Sequence, residues 1–196
     1  SSVRTWTVLG VAAAAAERGL LVIDAGVAGG HASADRGEMV VTVGGPETAC
    51  ERVRPVFESF SHEVIHAGPL SAGMALKLVK NHISYAVMAA SHEGMLLARR
   101  AGIGPEAVRR VVERTGLLAQ FFEPPLSLEN PERHPADAPA ENVEHALKYT
   151  AMAHKDLDSV IDLGRELDLD LPLAQGVRLA AANFFQLPRE HEDRLG

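Results

Sequence analysis

The sequence predicts an α/β segment followed by an all-α segment built on one long helix. Three observations carry that class. Short β-branched runs alternate with helical patterns between residues 20 and 66. The stretch from Ser71 to Arg100 meets no breaker except Gly73 and Gly94, and everything after it keeps helical spacing around a proline-rich connection. The predicted boundary lies at 67/68, giving units 1–67 and 68–196.

Taken in order, the alanine-rich run from Val8 to Arg18 favours a helix that Gly19 stops. Leu20-Leu21-Val22-Ile23 is then a short apolar run suited to a buried strand, and "DAGVAGG" (24–30) reads as a glycine-rich loop at its carboxyl end. Met39–Val43 predicts a second strand, ended by Gly44-Gly45-Pro46. Ala49, Val53, Val56, Phe57 and Phe60 repeat at helical spacing over roughly 47–60. "SHEVIHAGPL" contains the β-branched pair Val64-Ile65 and stops at Ala67-Gly68-Pro69, which predicts a strand. The 71–100 helix would be ~45 Å long at ~1.5 Å per residue, a spine shared between domains or subunits. Helices follow at Pro105–Thr115, Val143–Leu167 and Ala174–Phe185. Pro124 to Pro139 is the connection expected to hold the least regular structure.

With 46% hydrophobic residues over 196 positions, the chain can bury a real core. Its net charge of −7, with no Lys/Arg block, argues against a nucleic-acid surface and for a cytoplasmic protein. Cys50 is the single cysteine, so neither an intrachain disulfide nor a Cys-rich zinc module is available. No apolar run reaches the ~20 residues of a membrane-spanning helix.

Two motifs match by letters. "HEVIH" (62–66) fits H-E-x-x-H, a zinc pattern that works only on a helix, where residues four apart sit ~6 Å apart along the axis. On a strand the two imidazoles would stand ~13 Å apart and would not converge on one ion. Gly102–Ala107 fits G-x-G-x-x-G/A but follows a helix, so the strand that aims a pyrophosphate at a helix N-terminus is missing. No metal site is predicted.

Lys77 and Asn81 lie one turn apart on the long helix. A lysine in a partly desolvated cleft can exchange protons with a substrate hydroxyl. By spacing alone the commoner reading is a lysine whose stem lies along the helix with its head in water, like Lys80.

Ser1-Ser2-Val3, "DAGVAGG" at 24–30, "VGGP" at 43–46, "AGPLSAGMALKLVKN" at 67–81 and "KDLDSVIDLGRELDLDLPL" at 155–173 together resemble, in order, the β-hydroxyacid dehydrogenase family. That group includes 3-hydroxyisobutyrate dehydrogenase, tartronate semialdehyde reductase and the glyoxylate/succinic semialdehyde reductases. The resemblance implies that residues 1–67 are the C-terminal part of a Rossmann-type NAD(P)-binding domain and that 68–196 form a helical substrate and dimerisation domain. It implies NAD or NADP as cofactor, a small hydroxyacid or semialdehyde as substrate, and a homodimer or higher homo-oligomer. The family pattern G-x-x-G-x-G-x-x-x-K-x-x-x-N falls on Gly68, Gly73, Lys77 and Asn81, so Lys77 is implied as acid/base and Asn81 as the residue that orients substrate. The "KDL" lysine beside the nicotinamide falls on Lys155, and Ser2 falls on the cofactor side. The carboxylate-binding loop D-A-P-V-S-G-G falls on 24–30, so Ala28, Gly29 and Gly30, with Ser1, are the implied substrate contacts.

Two departures matter. Ala28 replaces a serine and removes a hydroxyl donor, and Gly26 replaces a proline and predicts a looser loop. The strand, G-x-G-x-x-G turn and helix that open the family's dinucleotide fold have no counterpart before Ser1, so the resemblance implies a fragment that by itself binds cofactor poorly. The competing expectation is a non-catalytic helical dimerisation domain carrying relic site residues.

Overall fold

A computed structural model describes residues 2–115 and 132–195. They form α1 (Thr5–Ala16), β1 (Asp24–Ala28), α2 (Gly30–Asp35), β2 (Met39–Gly44), α3 (Glu47–Glu58), β3 (Ser61–Gly68), α4 (Ala72–Arg100), α5 (Pro105–Arg114), α6 (Ala140–Glu166), α7 (Pro172–Phe184) and a 3-10 helix, Arg189–Leu195. The chain divides into two compact units. One holds Ser1–Asn81 with Asp162–Leu169, the other His82–Ile161 with Asp170–Gly196.

In the first unit the sheet order is β1-β2-β3. β2 pairs antiparallel with β1 and parallel with β3. Side chains alternate across a strand, so Val41 and Val43, fully buried, face one side, where Cys50, Phe57 and Val64 pack on them. Thr42 faces the opposite side, towards the start of α4. α1 ends where Gly19 turns left-handed and Leu20 N–H bonds back to the Ala15 carbonyl. The same helix is tied to the end of α6 by Arg4 Nε on Asp162 (2.8 Å) and by the Thr5 hydroxyl on Glu166 (2.6 Å).

The strand expected at 20–23 is not formed there. β1 is Asp24–Ala28, inside the predicted loop, while Leu20 and Leu21 are exposed. The ladder explains the shift: Asp24 pairs with Gly44, the last residue of β2, so residues before Asp24 have no partner strand. The two other predicted strands and all six predicted helices form within a few residues of their expected limits. α2 and the 3-10 helix are additional. Glu132–Pro139 contains no helix or strand, as the prolines predicted; Pro124 and Pro125 lie outside the described residues.

The second unit is held by side-chain packing. Tyr85 and Ala89 of α4, Ala153 and Leu157 of α6, and Val177, Ala181 and Phe184 of α7 form one buried cluster. Val143, Ala146, Leu147, Ala182 and Leu187 form another. Among the described residues, no helix is long and apolar enough to cross a membrane.

Candidate active site

The first unit builds its site where α4 begins against the β1–β2 pair. The opening N–H groups of a helix lack intrahelical partners, and a carboxylate placed before them satisfies both hydrogen bonding and the helix dipole. Asp24, only 4% exposed at the head of β1, does this from across the chain. Its Oδ1 accepts from Ser71 N–H at 2.6 Å and its Oδ2 from Met74 N–H at 2.5 Å. Ser71 holds a left-handed φ of 76° to present its N–H, an unusual cost for a residue with a Cβ. It occupies the second glycine position of the motif that spans Gly68 to Asn81.

Backbone contact fixes the helix more closely still. A Cβ on Gly73 would stand 2.5 Å from the Thr42 carbonyl oxygen and 2.7 Å from Gly44 N, so α4 meets β2 main chain to main chain. The Thr42 hydroxyl is shared between the carbonyls of Gly73 (2.8 Å) and Gly26 (3.2 Å). Residues four apart share a helix face, so Gly73, Lys77 and Asn81 follow one another along the side that α4 turns to the sheet. Lys77 is 7% exposed. Its stem lies over Gly26, where a Cβ would come within 2.8 Å of both Lys77 Cβ and Thr42 Oγ1. The looser loop expected from Gly26 is therefore not found: Gly26 sits in the β1 ladder opposite Thr42, and the lysine stem fills the room that a side chain would take.

β1 runs on to Ala28, Gly29 and Gly30. Gly29 (φ 135°) turns the chain into α2, and a Cβ there would lie 2.7 Å from Ser33 Cβ, so only glycine fits. Ala28 is half-buried and offers no hydroxyl. Thus Lys77, Asn81 and the 28–30 turn are brought into the same unit. Lys155 belongs to the second unit, on α6, with half of its side chain exposed and Nζ 3.4 Å from Asp156 Oδ1. Ser2 is half-buried before α1, and Ser1 lies outside the described residues. Sequence reasoning missed the Asp24 clamp, Thr42 and the Gly44–Gly73 approach. The signals available were a carboxylate inside an apolar stretch and glycines at both meeting points.

HEVIH is strand β3, and His66 Nε2 donates to the Gly45 carbonyl at 2.9 Å rather than facing His62. Gly102–Ala107 joins α4 to α5, with Gly102 at φ 73°. That turn therefore has no strand behind it. Ser2 offers a hydroxyl in the first unit and Lys155 a half-exposed cation in the second.

Comparison with known proteins agrees with the sequence resemblance along the whole chain. Residues 1–68 match the family model described as the NAD binding domain of 6-phosphogluconate dehydrogenase. Residues 71–194 match the model described as NAD-binding of NADP-dependent 3-hydroxyisobutyrate dehydrogenase. The 3-hydroxyisobutyrate dehydrogenase of Pseudomonas aeruginosa is 30% identical over 195 residues, 98% of this chain and 63% of that protein. The 2-(hydroxymethyl)glutarate dehydrogenase of Eubacterium barkeri is 28% identical over 88% of this chain and 54% of its own length. Among solved structures, the Mycobacterium tuberculosis 3-hydroxyisobutyrate dehydrogenase with L-serine superposes with a TM-score of 0.74 at 27% identity, covering 96% of this chain and 65% of that one. The chain spans less than two thirds of the length of each of these relatives.

Proposed function

Because the chain belongs to the β-hydroxyacid dehydrogenase family, we propose that it contributes to an NAD(P)-dependent oxidoreductase that interconverts a small β-hydroxyacid and its semialdehyde or keto form. The observation that carries this reading is the burial of Lys77 beside the β1 strand that leads to the Gly29-Gly30 turn. Bound NAD(P) supplies the hydride acceptor or donor.

The chain's own residues do the rest. Lys77, held with its stem on Gly26, takes the hydroxyl proton as the alcohol is oxidised and returns it on reduction, so alkoxide charge never accumulates. Asn81, one turn further on the same face, orients the reacting hydroxyl. The N–H groups of Gly29 and Gly30 receive the substrate carboxylate, and Ala28 leaves that grip one hydroxyl weaker. In this reading, residues 1–67 are the end of a nucleotide-binding domain and 68–196 the substrate and dimerisation domain. The enzyme, in the same reading, works in the cytoplasm, and the 196-residue chain alone holds cofactor weakly.

A second copy completes the assembly through α4, whose Leu76 and Val79, three apart on one stripe, are both exposed. Sedimentation at micromolar concentration should show a dimer, and Leu76→Glu should shift it towards monomer.

The test is turnover in the longest polypeptide that the gene encodes, assayed on a panel of short hydroxyacids with both cofactors. Lys77→Ala should lower kcat by ~10²-fold or more, the range for losing a positioned acid/base, with the fold retained. Undiminished turnover would remove Lys77 as the acid/base, whereas no turnover in the unaltered polypeptide would leave the helical dimerisation domain with relic residues as the better reading.

A further inference from the structure

Inside the second unit, one buried polar pair lies within an apolar cluster. Tyr85 of α4 is 7% exposed and belongs to an otherwise apolar cluster with Ala89, Ala153, Leu157 and Phe184. Its hydroxyl donates to Asp156 Oδ2 on α6 at 3.3 Å. Asp156 is itself 4% exposed, and its other oxygen, Oδ1, lies 3.4 Å from Lys155 Nζ. Consecutive helix residues do not face each other, so the Lys155 side chain must bend back to reach its neighbour's carboxylate. A buried carboxylate is costly unless each oxygen has a partner. Here one oxygen accepts from a phenol inside the cluster, and the other lies in ion-pair range, not hydrogen-bond geometry, of an ammonium at the surface.

We propose that Tyr85 is a positioning residue that, through Asp156, holds the Lys155 ammonium in a fixed place on the surface of α6. The phenol anchors one oxygen and thereby sets the carboxylate plane. The carboxylate aims the other oxygen at Lys155, and the lysine, which would otherwise sample many rotamers, is held by it. Burial and the facing carboxylate push the Tyr85 phenol well above its ordinary range, so it keeps its proton and acts only as a donor. The functional consequence rests on the reading of Lys155 as the lysine that approaches the cofactor: an ammonium already in place costs less to order when cofactor binds.

A double-mutant cycle tests it, with Tyr85→Phe, Lys155→Ala and the pair made in the longest encoded polypeptide, reading cofactor KM, kcat and urea unfolding. Tyr85→Phe should raise the KM for NAD(P) by about 3- to 10-fold with kcat nearly unchanged, the range of coupling between contacting groups. In the Lys155→Ala background the same substitution should change KM by less than about 2-fold. A Lys155→Ala variant with unaltered KM but with unfolding constants that remain non-additive would remove Lys155 from the cofactor and keep the positioning. Additive effects of the two substitutions on both KM and unfolding would overturn the proposal.

Discussion

The two units position their functional side chains by different means. At the start of α4 the main chain itself makes the contact: Gly73 lies against Gly44 and Thr42, and Asp24 closes on two N–H groups. Around Tyr85 the helices are held apart by side chains, with alanines at the close points and Leu157 fully buried. A backbone-to-backbone joint has no slack, because neither partner can change rotamer, whereas a side-chain joint can repack. In the proposed reading the acid/base, Lys77, sits on the first kind of joint, and the lysine proposed to approach the cofactor, Lys155, sits on the second.

That contrast orders the expected effects. Gly73→Ala should be the most damaging, about 3 kcal/mol or more, since the new methyl meets only backbone atoms; chemical denaturation measures it, and a loss under 1 kcal/mol would erase the distinction between the joints. Leu157→Ala in the helical unit should follow at about 2–4 kcal/mol, the range for a buried leucine whose surroundings partly collapse, without altering kcat. Asp24→Asn should cost about 2 kcal/mol, because one N–H of α4 would face an amide NH₂ instead of a carboxylate oxygen, and kcat should fall with it as Lys77 loses its register.

Ser71→Gly should move the other way, stabilising by about 1 kcal/mol as the left-handed strain is released while its N–H bond to Asp24 remains. The smallest effect concerns pH. Burial, reinforced by the Arg178 charge, holds the His154 imidazole below its ordinary 6.5. The folded state binds this proton less readily than the unfolded chain, so the contribution is fully present above pH 6.5 and is lost as pH falls through the lowered folded value. His154→Gln should flatten that part of the stability profile.

Legibility in the sequence followed the same division. Helices with regular apolar spacing were readable because periodicity needs no partner, and α4 appears within one residue of its expected start. β1 was misplaced, since an apolar run suggests burial but a strand also needs a ladder, and β2 ends at Gly44. Lys77 and Asn81 were reachable by motif, and HEVIH lost its metal reading once Val64-Ile65 marked a strand. Asp24 showed locally only as a carboxylate inside an apolar stretch, and its role as a clamp, like that of Tyr85 as an anchor, depends on contacts 47 and 71 residues apart in the chain.

The central claim is that Lys77 carries the proton. Chemical rescue tests it most directly: Lys77→Ala, made in the longest encoded polypeptide, is assayed with and without added primary amines of graded basicity. The account predicts turnover that is nearly lost without amine and recovers in proportion to amine concentration, more strongly for amines whose pKa lies near the assay pH. Turnover in Lys77→Ala equal to that of the unaltered enzyme, with no response to amine, would contradict it.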